Sequence, residues 1–205
     1  MLEISFGCNG TFVTSGSSKA GSHLQGVSMP NFLKLPTTTD GLIRVVIETP
    51  RGSEAKLAYD PATQVFAYVR PLPVGMSYPY DWGFIPSTLG EDGDPLDGLV
   101  IHQGTTAPGV VIKCQLLGVL RVKQKDQGGE AVRNDRFIFC PHKEDAEDEP
   151  ATEQHVPEHL RREIEQFFLS SVLGTGKTIK FKGWQGADEA QRAIRNGMKA
   201  FASRY

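Results

Sequence analysis

The chain has 205 residues, enough for one domain with a substantial core and too few for two large ones. A formal net charge of −2 gives no electrostatic case for nucleic acid or an anionic membrane surface, and no apolar run is long enough to cross a bilayer. The three widely spaced cysteines, Cys8, Cys114 and Cys140, form no metal-type pair and suit reduced thiols, so a cytoplasmic location is expected.

Residues 1–40 read as a disordered N-terminal extension and residues 41–205 as the folded domain. Residues 14–22 are small and polar, a composition that buries too little surface to order itself. Met29 would serve as an alternative start. Asn9-Gly10-Thr11 matches a glycosylation acceptor, but no basic start and apolar stretch accompany it as a secretion signal.

From there the pattern is mostly β. Short apolar or alternating runs separated by turn residues predict strands at 43–48, 65–69, 98–101, 110–122, 137–140 and 178–181. Cys114 and Cys140 fall inside apolar strands and read as core. The charged run 143–149 reads as a solvated loop. Pro157 opens a helix as a first-turn residue, with Leu160, Ile164, Phe167 and Phe168 on one face. A second helix over 188–203 carries Ala190, Ile194, Met198 and Phe201 at helical spacing. Strands followed by helices predict an α+β fold, mainly β: a small barrel with two C-terminal helices packed outside. The run 173–178 imitates the end of a nucleotide-binding loop, but it follows a helix and precedes a strand, the wrong order for one.

Chemistry concentrates in Tyr78-Pro79-Tyr80-Asp81-Trp82-Gly83-Phe84-Ile85-Pro86 and the acidic turn Gly90-Glu91-Asp92-Gly93-Asp94-Pro95-Leu96-Asp97. Three aspartates within six residues repel one another unless a cation sits among them. Hard divalent ions take oxygen ligands, and Mg²⁺ in particular shares a few carboxylates with substrate phosphates. A calcium EF-hand loop does not fit, because Leu96 and Gln103 stand where that loop needs acidic or amide ligands.

The segment from Val45 to about Trp184 resembles the family I soluble inorganic pyrophosphatases. Asp92-Gly93-Asp94-Pro95-Leu96-Asp97 fits the family signature, Val45-Val46-Ile47-Glu48 resembles its first barrel strand, and Tyr78 stands eight residues after Arg70 as in the family. Leu117-Gly118-Val119-Leu120 and Arg136-Phe137-Ile138-Phe139-Cys140-Pro141 resemble two later strands. The resemblance implies a five-stranded OB-like barrel, a catalytic domain over 41–205, and Mg²⁺-dependent hydrolysis of pyrophosphate to two phosphates by a metal-activated water. It implies metal ligands in Asp92 and Asp97, with Glu48, Asp126 and Asp135 as further candidates. Asp94 is implied as general base, and Lys56, Arg70, Tyr78 and Arg136 as catalytic groups stabilising the leaving phosphate. A homo-oligomer is implied as well.

The chain departs from the pattern at several positions. Ala58 stands where an acidic residue is common and Trp82 where a tyrosine is common. Asn134-Asp135-Arg136 replaces Asp-x-Lys, and Ser171-Val172 replaces a phosphate-binding Tyr-Lys pair. Strand alternation puts Asn134 and Arg136 on one face with Asp135 on the other, unless a shifted turn brings Asp135 in. Two other readings therefore stay open: a hydrolase of another small phosphate compound, and a non-catalytic metal- or phosphate-binding relative. Because residues 1–28 carry no strand or helix periodicity, deleting them is expected to leave melting temperature and activity unchanged; a drop of several degrees would show that they pack.

Overall fold

The computed structural model describes residues 31–142 and 156–205. The expectations for residues 1–30 and for the charged run 143–149 lie outside them. In chain order the elements are β1 (Thr38–Thr39), β2 (Leu42–Thr49), β3 (Ala55–Asp60), β4 (Val65–Pro71), β5 (Asp81–Phe84), β6 (Asp97–Val100), β7 (Val111–Lys125), β8 (Ala131–Arg133), β9 (Arg136–Pro141), α1 (Glu158–Ser171), β10 (Thr178–Gly186) and α2 (Ala187–Arg204). Among the described residues, no helix is long and apolar enough to cross a membrane.

Five strands close on themselves. β2 pairs with β5, β5 with β6, β6 with β9, β9 with β7, and β7 returns to β2. Closure is possible because β7 is long: Val111 to Cys114 pair with β2, the stretch from Cys114 to Leu120 pairs with β9, and the remainder carries β10 and β8. The β6–β9 pairing is parallel and the other four in the ring are antiparallel. A closed ring leaves no exposed strand edge to manage. This is the expected mainly β barrel with two helices outside.

The ring's membership differs from the strands read in the sequence. Residues 65–69 do form a strand, but β4 pairs with β3 in a separate hairpin, and β10 extends the sheet from β7 outside the ring. The missing ring member is β5, Asp81-Trp82-Gly83-Phe84, whose four residues are all buried. Burial on both faces removes the alternation that betrays a strand, and four residues are too few to outweigh the flanking prolines.

Alternate residues of β6 and β9 feed two apolar clusters. Leu99 and Ile138 join Trp82, Leu120, Ile164, Phe167 and Phe168 under α1. Val100, Phe137 and Phe139 join Val45, Ile47, Val119, Ala190 and Ile194 against α2. Cys114 is buried there, whereas Cys140 is only half-buried. Pro157 sits at the N-cap of α1, one residue before its first turn.

Residues 31–40 correct the boundary of the extension. The Asn31 side chain accepts from the Leu33 amide and starts a 3-10 turn, Phe32–Lys34. Phe32, Leu33 and Leu35 then pack on Val46, Tyr59 and Phe84. Three large apolar side chains bury enough surface to order this segment.

Gly83 carries the closest backbone approach in the ring. A Cβ there would stand 1.9 Å from the Val46 carbonyl oxygen, so β2 and β5 pair tightly only around glycine. Gly83→Ala is expected to cost about 3 kcal/mol or more. Thermal or urea unfolding checks this, and a variant as stable as the parent would show that the strands can part.

Candidate active site

The acidic turn is held from both sides. Ahead of it, the Leu89 amide donates to the Gly197 carbonyl of α2 at 3.0 Å. Within it, the Gly90 amide donates to the Asp94 carbonyl at 2.7 Å, and the Asp94 amide to Asp92 Oδ1 at 3.3 Å. Gly93, between the two aspartates, takes a φ of +90°, which favours glycine there. Asp97 ends the turn and begins β6, directly opposite Arg136 at the start of β9.

A cavity of about 800 Å³ opens over this turn. Asp92, Asp94 and Asp97 form one side, with Glu91 beside them. Lys56 and Arg70 enter from the β3–β4 hairpin, where they are cross-strand partners. Two like charges directly opposite each other destabilise a hairpin, a cost that an anion held between them would offset. Arg136 completes the cationic wall with the neutral Tyr78 hydroxyl beside it, and Phe167 and Phe168 of α1 close the cavity against the Tyr78 and Trp82 rings. Arg70 Nη2 donates to the Ser171 carbonyl at 2.9 Å, tying the hairpin to the end of α1.

Arg136 is nearly enclosed. Its guanidinium donates to Asp97, to Asn134 Oδ1 and, at 3.2 Å, to Gln124 Oε1. It lies 5.1 Å from the Trp82 ring centre and 5.4 Å from that of Phe168.

The carboxylates bear the cost of shelter. Burial pushes Glu48 up to about 7, with Asp97 and Asp94 adding repulsion while the Tyr59 amide and Lys56 oppose. Burial raises Asp92 to about 6, and the Asp97 charge adds to it. Asp97 is raised by burial too, against the pull of Arg136 and Lys56. Burial also raises the Tyr78 phenol, so it keeps its proton and remains a donor.

Most of the candidate residues come together, though not all in one chamber. Glu48 lines an adjoining pocket of about 220 Å³ that shares Lys56, Trp82, Asp94 and Asp97 with the main cavity, and Ala58 lies there as well. Asp126 reaches the main cavity from the β7–β8 loop and pairs with Lys177 at 3.1 Å. Asp135 is the exception. Its carboxylate takes Arg121 and Arg133 at 2.6 Å each, plus the Val122 amide, on the face away from the cavity, while Asn134 lines it. The two residues form the connection from β8 to β9, which points Asp135 away from the cavity and Asn134 toward it. Two cavity carboxylates, Glu91 and Glu130, went unread in the sequence. Glu91 directly precedes Asp92, and Glu130 shares its loop with Asp126, so proximity to those aspartates was the available signal.

A family model described as inorganic pyrophosphatase matches residues 45–202. The chain belongs to the inorganic pyrophosphatase family. It is 37% identical over 177 residues to the inorganic pyrophosphatase of Thermus thermophilus, covering 82% of this chain and 95% of that protein. The inorganic pyrophosphatase of a Nostoc species is 35% identical over 161 residues, covering 78% and 92%. The crystal structure of the inorganic pyrophosphatase from Thermus thermophilus matches with a TM-score of 0.73 at 34% identity, covering 84% of this chain and 99% of that one.

The donors of this family member suit a hard divalent cation. Among the described residues no three metal-type groups are already gathered around one point. Yet the charges of Asp97 and Asp94 raise the proton affinity of both Glu48 and Asp92, and a cation relieves that repulsion. In the metal-free protein the sign follows from Glu48 at about 7 and Asp92 at about 6, both above their usual values. The folded chain then binds more protons than the unfolded one, so stability is lost as pH rises through these values. Chelated protein is expected to melt at a lower temperature as pH rises from about 5 to about 8, with added divalent cation restoring the loss. A melting temperature that rises over that range in chelator would overturn this account of the site.

Proposed function

We propose that the chain hydrolyses inorganic pyrophosphate to two phosphates with Mg²⁺ bound. The observation that carries this reading is the charge census of the cavity: six carboxylates, Glu91, Asp92, Asp94, Asp97, Asp126 and Glu130, face only four cations, Lys56, Arg70, Arg136 and Lys177. A polyanionic substrate enters such a cavity only with metal cations. Asp92 and Asp97 would hold the metal, with Glu48 and Asp126 as further donors. When bound, Mg²⁺ neutralises phosphate oxygens and makes a water molecule more acidic.

The chain's own groups do the rest. The Asp94 carboxylate accepts a proton from the attacking water as its oxygen bonds to phosphorus. The bond from that phosphorus to the bridging oxygen breaks, and the electron pair leaves on the second phosphate. Lys56, Arg70 and Arg136 stabilise charge on that leaving group, and the protonated Tyr78 hydroxyl donates to it. Ser171 and Val172 offer little toward phosphate: Ser171 is buried with its hydroxyl donating to the Phe168 carbonyl, and its own carbonyl takes Arg70. Arg70, which donates to that carbonyl, and Lys177 are cations that line the cavity with them. A cytoplasmic location and a homo-oligomer belong to the same reading, supported by the sparse cysteines and by exposed Val65, Tyr68 and Val69 on β4.

The direct test is phosphate release from pyrophosphate with Mg²⁺ and with chelator. Asp94→Asn is expected to lower the rate about 10²–10⁴-fold. Because Asp94 is exposed, its melting temperature and its Mg²⁺ affinity should stay close to the parent's. A variant with near-parental rate would remove Asp94 as the base. An unaltered chain that releases no phosphate from pyrophosphate in Mg²⁺, yet cleaves a substituted phosphate, would overturn the substrate.

A further inference from the structure

Three departures from the family pattern meet at one guanidinium. Arg136 replaces a lysine, Asn134 an aspartate and Trp82 a tyrosine, and in the fold Arg136 touches both of the others. We propose that Trp82 and Asn134, with Phe168, are positioning residues that hold the Arg136 guanidinium as a fixed planar fork against phosphate, so that the three departures form one coordinated replacement. The proposal rests on the reading of the cavity as a pyrophosphate site.

The physical argument begins with the two cations. A lysine ammonium is a compact point charge whose donors rotate to meet an oxygen, so it needs little orientation. A guanidinium carries five donors in a rigid plane, and it serves phosphate well only when that plane is aimed. Everything around Arg136 acts on the plane. The Trp82 ring lies 5.1 Å from its central carbon and the Phe168 ring 5.4 Å, and the side chain is only 6% exposed. An indole offers the strongest face for a cation, and this contact needs no hydroxyl. Within the plane, Nη1 is drawn to Asp97 and Asn134, and Nη2 to Gln124. Nε is buried without a partner among the described residues, and Nη2, with one of its two hydrogens on Gln124, keeps the other for phosphate.

Asn134 explains itself by the same contact. An aspartate there would place a second carboxylate on Nη1 beside Asp97, in a cavity where carboxylates already outnumber cations. The neutral amide oxygen accepts the same hydrogen bond without cancelling the charge that phosphate must meet. The aromatic faces set the tilt of the fork, and the asparagine sets its rotation.

Double-mutant cycles decide the matter. Trp82→Leu, Trp82→Phe and Asn134→Ala are each made alone and together with Arg136→Ala. The readouts are KM and kcat for pyrophosphate with Mg²⁺, the affinity for inorganic phosphate by calorimetry, and melting temperature. Trp82→Leu and Asn134→Ala are each expected to raise KM and weaken phosphate binding about tenfold, with a smaller effect on kcat. Trp82→Phe keeps an aromatic face and should stay within about threefold. In the Arg136→Ala background each change should cost less than about twofold, because its only route of action is gone. The same factor in both backgrounds would show a merely structural role and overturn the proposal. If Trp82→Leu does not fold, Asn134→Ala, at a partly exposed position, carries the cycle by itself. Should the unaltered chain fail to hydrolyse pyrophosphate, the substrate assignment falls, while the phosphate-binding cycle still supports or overturns the coupling.

Discussion

The site depends on one register. Asp97 and Arg136 are the first residues of β6 and β9, and the parallel pairing of those strands sets them side by side. No local preference of either segment would bring them together, since they lie thirty-nine positions apart. Ring closure does so, because β9 must fit between β6 and β7. A buried ion pair of this kind adds little net stability, since removing two charges from water roughly offsets their attraction. Its value is positional: the pair marks the seam where the acidic turn meets the cationic wall.

Around that seam the barrel and its attachments divide the labour. The five-stranded ring supplies rigid ends for Glu48, Asp97 and Arg136. The β3–β4 hairpin stands outside the ring and carries Lys56 and Arg70 as opposed cations. Helix α1 lends aromatic rings rather than charge, and α2 braces the acidic turn through the Gly197 carbonyl. Carboxylates with raised proton affinity outnumber the cations beside them, an arrangement that suits an ion bringing the opposite charge. Placement of this kind works against the stability of the empty protein and favours the filled one.

Much of this was legible in the chain. The acidic turn announced itself through Gly, Pro and clustered aspartates, and the two helices through their apolar stripes. The strand at 81–84 was not legible, because complete burial erased its alternation. The packing of residues 31–40 was hidden for a related reason: Phe32, Leu33 and Leu35 gain their value only from Val46, Tyr59 and Phe84, which lie beyond them in the chain. Glu91 and Glu130 stayed unread because an acidic residue in a loop looks solvated until a cavity forms over it.

What the sequence determined by itself was the chemistry on offer: carboxylates on a tight turn, cations at set distances, a mainly β chain with two amphipathic helices. Those features follow from residue type and short-range spacing, which are local properties. Only the tertiary structure decided which of these groups share one cavity. It sent Asp135 to Arg121 and Arg133 and left Asn134 facing Arg136, because the two-residue connection from β8 to β9 turns its neighbouring side chains to opposite sides. It also set Arg136 against the touching rings of Trp82 and Phe168, which come from distant parts of the chain. Contacts of that kind depend on how the ring closes and where α1 docks, and no local spacing in the chain encodes either.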